Sequence, residues 1–182
     1  MELIETEFRH LFRIQSKVWK DERGTFQETF KEAHFRVATG LNLSFVQDNE
    51  SVSRKGVLRG MHAQVPPKAQ GKLIRVVQGS IQDVVVDLRK SEPTFGQWIS
   101  FDLKQSDGQM IFVPEGFAHG FLALEENTIV NYKCTNYYHK ESEIHLNPFD
   151  ADLSIQWKIA EVYQSEKDQI GRPFSEFSNY FF

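Results

Sequence analysis

Residues 45–146 run in short apolar stretches rich in Val, Ile, Phe and Tyr, broken at Gln78-Gly79, Asp107-Gly108 and Glu125-Glu126-Asn127. Such stretches, recurring every ~8–12 residues with turn signals between them, predict an all-β sandwich or barrel. Residues 72–77 and 80–88, meeting at Gln78-Gly79, predict a β-hairpin. Helical periodicity is scarce. Residues 29–39 predict one short helix stopped by Gly40, and a turn of helix is expected at residues 165–169 in the more polar tail after Trp157. The chain has no internal repeat and no Ser/Gly-rich linker, so its 182 residues are expected to form one domain, 1–182.

Alternation with period two says which side chains share a strand face. Val130, Tyr132 and Cys134 fall on one side, and Ile129, Asn131 and Lys133 on the other. Lys72 shares a face with Ile74 and Val76; Asp83 and Asp87 share one with Ile81 and Val85. Gln47, Asn49, Ser51 and Ser53 line up together. Polar groups thus fall on faces that should point inward, where an unpaired one costs a few kcal/mol. A barrel whose interior is a wet binding pocket accommodates them.

Charge narrows the function. With 21 Lys+Arg against 25 Asp+Glu the net charge is −4, which argues against a broad nucleic-acid-binding face but leaves room for a small basic pocket. The single cysteine, Cys134, excludes an internal disulfide and any Cys-cluster metal site. The acidic N-terminus lacks the basic-then-apolar order of a signal peptide, and no apolar run approaches the ~18 residues a membrane span needs. A cytoplasmic protein with no membrane partner is expected.

Two histidines stand in loaded contexts. Residues 108–119 read G-x5-P-x-G-x-x-H, ending at His119, and residues 56–62 read G-x5-H, ending at His62. Both resemble motifs of the cupin superfamily, small double-stranded β-helix (jelly-roll) barrels. In metal-binding cupins the first motif continues with a second His and a Glu. Here Ala63 and Gln64 follow, and residues 65–71 contain no acid. Two imidazoles fall short of the three or more protein ligands that zinc or iron centres take, so a metal-free barrel is expected. A lone strand histidine is more often structural, and that reading is given to His10, His34, His139 and His145. Around His62, Arg59 and Lys72 instead suit an anionic, oxygen-rich ligand.

The chain further resembles the dTDP-4-dehydrorhamnose 3,5-epimerase family, from about residue 21 to 168. The resemblance rests on Asp21-Glu22-Arg23-Gly24 with Phe26 and Glu28, on Phe45-Val46-Gln47-Asp48-Asn49, and on Gly56 through His62. It continues in Gln70-Gly71-Lys72-Leu73, residues 83–89, residues 93–98 and Pro114 through Phe121. Tyr132-Lys133, Tyr137-Tyr138 and Ser165-Glu166-Lys167-Asp168 complete it.

The resemblance implies a metal-free, cofactor-free cupin-type barrel with short peripheral helices. Its implied activity is inversion of carbons 3 and 5 of dTDP-4-dehydro-6-deoxy-D-glucose to give dTDP-4-dehydro-L-rhamnose, through an enolate. It assigns His62 as base, Asp168 as the carboxylate holding that imidazole, Tyr132 as acid and Lys72 as enolate stabiliser. Arg23 and Arg59 would take the diphosphate of a nucleotide-sugar substrate. Phe26 and Tyr138 would stack on the base. Glu28, Gln47, Asp48, Asn49, His119, Glu143 and Lys167 would complete the substrate site, with Asp83 supporting Lys72 or His119. A homodimer exchanging N-terminal strands is also implied.

Three departures bear on the sugar pocket: Met61, Ala63 in place of an aromatic residue, and residues 146–150 in place of a Trp-containing turn. The space at Ala63 either admits a different sugar or is filled by a phenylalanine from elsewhere. Other readings remain open: a single-carbon epimerase, a ketoisomerase, a metal-dependent cupin enzyme, and a non-catalytic nucleotide-sugar binder.

Overall fold

The computed structural model describes residues 2–179; residues 1 and 180–182 of the expected domain lie outside them. The chain opens with β1 (Glu2–Glu5), β2 (Phe12–Gln15), β3 (Val18–Asp21) and β4 (Gly24–Gln27), then helix α1 (Glu32–Thr39). The barrel strands follow: β5 (Gln47–Ser53), β6 (Leu58–Gln64), β7 (Lys72–Gln78), β8 (Ser80–Asp87) and β9 (Trp98–Lys104). Then come β10 (Gln109–Val113), β11 (Phe117–Ala123), β12 (Thr128–Cys134) and β13 (Glu143–His145), and lastly the one-turn helix α2 (Glu166–Gln169). Among the described residues no helix is long and apolar enough to cross a membrane.

Two antiparallel sheets face one another. One runs β1-β2-β10-β7-β12-β5 and the other β13-β6-β11-β8-β9. Their inner faces meet in a core of Ile74, Val76, Ile81, Val85, Phe101, Leu103, Phe117, Phe121 and Val130, with Phe8 and Leu11 closing one end. The outer faces are covered too. Phe35 of α1, with Leu41, Leu43 and Phe45, packs on Phe112 and Leu73 outside the first sheet. The C-terminal segment lays Leu153, Ile155, Trp157, Phe174 and Phe177 over Met61, Ala63, Val84 and Val86 outside the second. Covering on both faces explains why all eight residues of β8 are buried, the polar Ser80, Gln82, Asp83 and Asp87 among them.

The expected hairpin at Gln78-Gly79 is not formed. β7 pairs with β10 and β12, whereas β8 pairs with β11 and β9. Only Gly79, at φ 78°, separates the two strands. One residue is too few for the two-residue reversal an antiparallel hairpin needs, so the chain turns the corner into the opposite sheet. The alternation does hold: Ile74 and Val76 enter the inner core while Leu73 packs outside. Helix α1 starts three residues later than expected, but Gly40 stops it in the left-handed conformation, at φ 69° with its N–H on the Arg36 carbonyl.

Candidate functional site

His62 owes its placement to Gly60. A Cβ at Gly60 would lie 2.6 Å from the His119 carbonyl oxygen and 2.7 Å from the Gly120 Cα, and its φ is +108°. Glycine therefore lets β6 press against β11, where the register shifts between His119 and Phe121. In that register His62 stands opposite His119 on one side and opposite His145 of β13 on the other. Three imidazoles thus form a row across three strands.

Each is held differently. His62 Nε2 lies 2.5 Å from Asp168 Oδ1. Asp168 is buried, on α2, whose capping residue Ser165 accepts the Asp168 backbone N–H through its hydroxyl at 3.2 Å. Burial pushes the Asp168 carboxyl upward, but its contacts with His62 outweigh that and hold it below the usual carboxylate value. His119 Nε2 lies 2.8 Å from Asp83 Oδ2, deep in the wall. Burial raises the Asp83 carboxyl, and its Oδ1 has no hydrogen-bond partner among the described residues. His145 packs edge-to-face against His62, with ring centroids 4.8 Å apart.

Tyr132 and Lys72 face this row from the other sheet, on adjacent strands β12 and β7. Burial raises the Tyr132 phenol above its ordinary value, so it is protonated at neutral pH. Burial lowers the Lys72 ammonium, while the neighbouring Cys134, Glu143 and Asp83 act in the opposite sense. These residues border two adjoining hollows. One, of 260 Å³, is lined by His62, Lys72 and Tyr132 together with Arg59, His119 and Asp168. The other, of 240 Å³, shares His62, Lys72, Tyr132 and Lys167 and adds Gln47, Asn49, Tyr138 and Glu143.

The polar lining is pre-arranged. Arg59 donates through Nε to the Ser53 hydroxyl at 3.0 Å and through a terminal nitrogen to the Val52 carbonyl at 3.1 Å. Gln47 donates to Asn49 Oδ1 at 3.0 Å and accepts the Tyr138 backbone N–H at 2.8 Å. Tyr138 donates its hydroxyl to Glu143 Oε2 at 2.9 Å, and Lys167 forms an ion pair with the same carboxylate. Burial pushes the Glu143 carboxyl upward, but Lys167 and Tyr138 outweigh it and hold the group low.

Four expected site residues stand elsewhere. Arg23, Phe26 and Glu28 sit on or beside the β3–β4 hairpin, a separate two-stranded sheet. There Arg23 pairs with Asp21, Phe26 is 68% exposed beside Trp19, and Glu28 meets His34. Asp48 lies on the outer face of β5, bound to Lys133 at 2.6 Å, because alternation that turns Gln47 and Asn49 inward turns Asp48 outward. Ser51, Phe121 and Ser165 line the first hollow without having been expected there. Ser51 left a signal in its place on the Gln47–Asn49 face, and Phe121 and Ser165 stood inside motifs of the family resemblance without a role assigned to them. Ala63 is buried in the outer cluster that Phe177 enters and also borders the second hollow.

His62, His145 and Asp168 are the only group of potential metal donors among the described residues, with ligand atoms within 4.8 Å of one another. His62 Nε2 and Asp168 Oδ1 stand at hydrogen-bond distance and engage each other directly. The geometry is that of a dyad flanked by a third ring.

The fold is a cupin-type barrel, and its interior is a pocket bordered by paired titratable groups. The profile of the dTDP-4-dehydrorhamnose 3,5-epimerase family matches residues 5–176, and the chain belongs to that family. It is 50% identical over 166 residues to the dTDP-4-dehydrorhamnose 3,5-epimerase of Methanothermobacter thermautotrophicus, covering 90% of this chain and 89% of that one. The crystal structure of the corresponding enzyme from Elizabethkingia anophelis superposes with a TM-score of 0.92 at 45% identity, covering 97% of each chain. A dTDP-6-deoxy-D-glucose-3,5-epimerase from Legionella pneumophila, in complex with dTDP-4-keto-L-rhamnose, superposes with a TM-score of 0.92 at 41% identity, covering 96% of this chain and 93% of that one.

Proposed function

We propose that this chain is an isomerase that inverts carbons 3 and 5 of dTDP-4-dehydro-6-deoxy-D-glucose, giving dTDP-4-dehydro-L-rhamnose. The observation that carries the reading is the placement of His62 and Tyr132 on opposing sheets with Lys72 beside the tyrosine. Inversion needs groups on both faces of a carbon, because a single group would return the proton where it found it.

The carboxylate of Asp168 is ionised at neutral pH, so His62 Nε2–H donates to it and Nδ1 carries the free lone pair. Nδ1 removes the proton from carbon 3 or carbon 5, both acidified by the carbonyl at carbon 4. The electron pair moves to the carbonyl oxygen, where the Lys72 ammonium stabilises the enolate. Tyr132 delivers its hydroxyl proton from the opposite face. Both groups re-equilibrate with water and the cycle repeats at the second carbon. Arg59 takes the diphosphate, and Tyr138, held by Glu143, offers its ring to the base.

Arg23, Phe26 and Glu28 act from a second copy. A two-stranded ribbon is marginal by itself, and β3–β4 is exposed on both faces. The working unit is a homodimer in which each hairpin completes the partner's pocket. Each chain acts as one domain, in the cytoplasm, with no metal or other cofactor.

The test is proton NMR of dTDP-4-dehydro-6-deoxy-D-glucose with this protein in heavy water. Deuterium should enter at carbons 3 and 5 with inversion at both. Incorporation at one carbon only would make it a single-carbon epimerase, and none at either would sink the reading.

A further inference from the structure

His145 belongs to no motif, yet it stands directly opposite His62 in the β13–β6 register. Directly paired residues put their side chains on the same sheet face with Cβ atoms roughly 5 Å apart. The two rings meet at an interplanar angle of 72°. His145 Nε2 lies 3.4 Å from Glu143 Oε2, and its Nδ1 is buried without a hydrogen-bond partner among the described residues. A histidine with one nitrogen unused is not placed for its hydrogen bonds. Its flat ring is what the site uses.

The base needs such a ring. Asp168 fixes one nitrogen of His62, and a single hydrogen bond sets the position of that atom but not the rotation of the ring about the bond. The reacting Nδ1 lies off the line of that bond, so a tilt of the ring displaces it. His119, the opposite neighbour, is tied to Asp83. The flank on the β13 side is therefore the one left to stop the rotation.

We propose that His145 is a positioning residue for the base: its ring, packed against His62, fixes the plane in which Nδ1 meets the substrate carbon. The proposal rests on the reading of His62 as the base. It assigns His145 no proton transfer and no contact with substrate. A base out of line by a fraction of an ångström loses turnover rather than binding, since misplacement by about 1 Å can cost on the order of 100-fold in rate.

The test compares wild type, His145→Ala and His145→Phe by heavy-water NMR at saturating substrate, with KM and dTDP affinity measured alongside. His145→Ala should lower kcat by about tenfold or more, with KM and the dTDP Kd within about twofold of wild type. His145→Phe, which keeps a flat ring, should recover most of the lost kcat. Three results would overturn the proposal: wild-type kcat in His145→Ala, a loss confined to KM, or His145→Phe as slow as His145→Ala. If His145→Ala does not fold, His145→Leu replaces it under the same criteria, filling the volume without a planar ring. A wild-type protein that exchanges nothing would instead remove the proposed function.

Discussion

At the scale of single residues the proposed mechanism draws on opposed protonation states. Asp168 is held low by His62 and Tyr132 is held high by burial, so at neutral pH one is an anion and the other an acid. His62→Asn should cut exchange at both carbons by at least ~10²-fold, the ordinary worth of a positioned general base. Asp168→Asn should be severe but milder. It also carries a stability signature. A depressed carboxyl stabilises the fold above its unfolded pKa of about 3.9, and that contribution is lost as pH falls through the lower folded value. The melting temperatures of wild type and Asp168→Asn should therefore converge below about pH 4. A gap that stays constant into acid would show that the dyad adds no pH-dependent stability. Tyr132→Phe should separate two events: deuterium should still enter slowly through His62, while inverted product falls by orders of magnitude. Inversion at the wild-type rate in that variant would require another donor.

The same residues show how far the sequence could be read. His62, Lys72, Tyr132 and His119 stood on faces or in motifs with a physical reason to point inward, and the pocket contains them. Asp48 was drawn in by its neighbours, although alternation placed it outward. His145 had no signal, because its significance comes from a register between β13 and β6 that no local pattern encodes.

At the scale of elements, individual strands and their faces were legible, but the pairing was not. Period-two patterning states which side of a strand is buried; it does not state which strand lies alongside. Hence the corner at Gly79 read as a hairpin. Gly60 is the element-scale counterpart for function, since the contact of β6 with β11 depends on it. Gly60→Ala would combine a positive φ with a Cβ inside van der Waals contact of backbone atoms that cannot move aside. It should cost about 2 kcal/mol or more, a drop of at least 4 °C or so in melting temperature, and reduce kcat as His62 shifts. Calorimetry and exchange assays on the purified variant would check both. An unchanged melting temperature would mean that the two strands separate at little cost.

At the scale of the molecule, the β3–β4 hairpin is the part that a single chain leaves without a role. If it completes a second copy's pocket, two inactive variants should rescue each other. Arg23→Ala keeps an intact barrel and His62→Asn keeps an intact hairpin. A heterodimer of the two has one wild-type pocket and one doubly impaired pocket. Random exchange of subunits should restore about a quarter of wild-type activity. No recovery on mixing, with exchange verified by mass, would place Arg23 in its own chain's site or in none.

The bond between His62 and Asp168 joins positions 106 residues apart, and α2, which carries the aspartate, packs over β6 only when the tail has come back across the sheet. Closing so long a loop carries a conformational entropy cost that local pairings do not share, and folds dominated by distant pairings form slowly. The reaction centre is therefore assembled late. During refolding from denaturant, sheet signal in the far ultraviolet should return before enzymatic turnover, with the docking of residues 146–179 as the interval between them. Simultaneous recovery would mean that barrel and tail consolidate in one step.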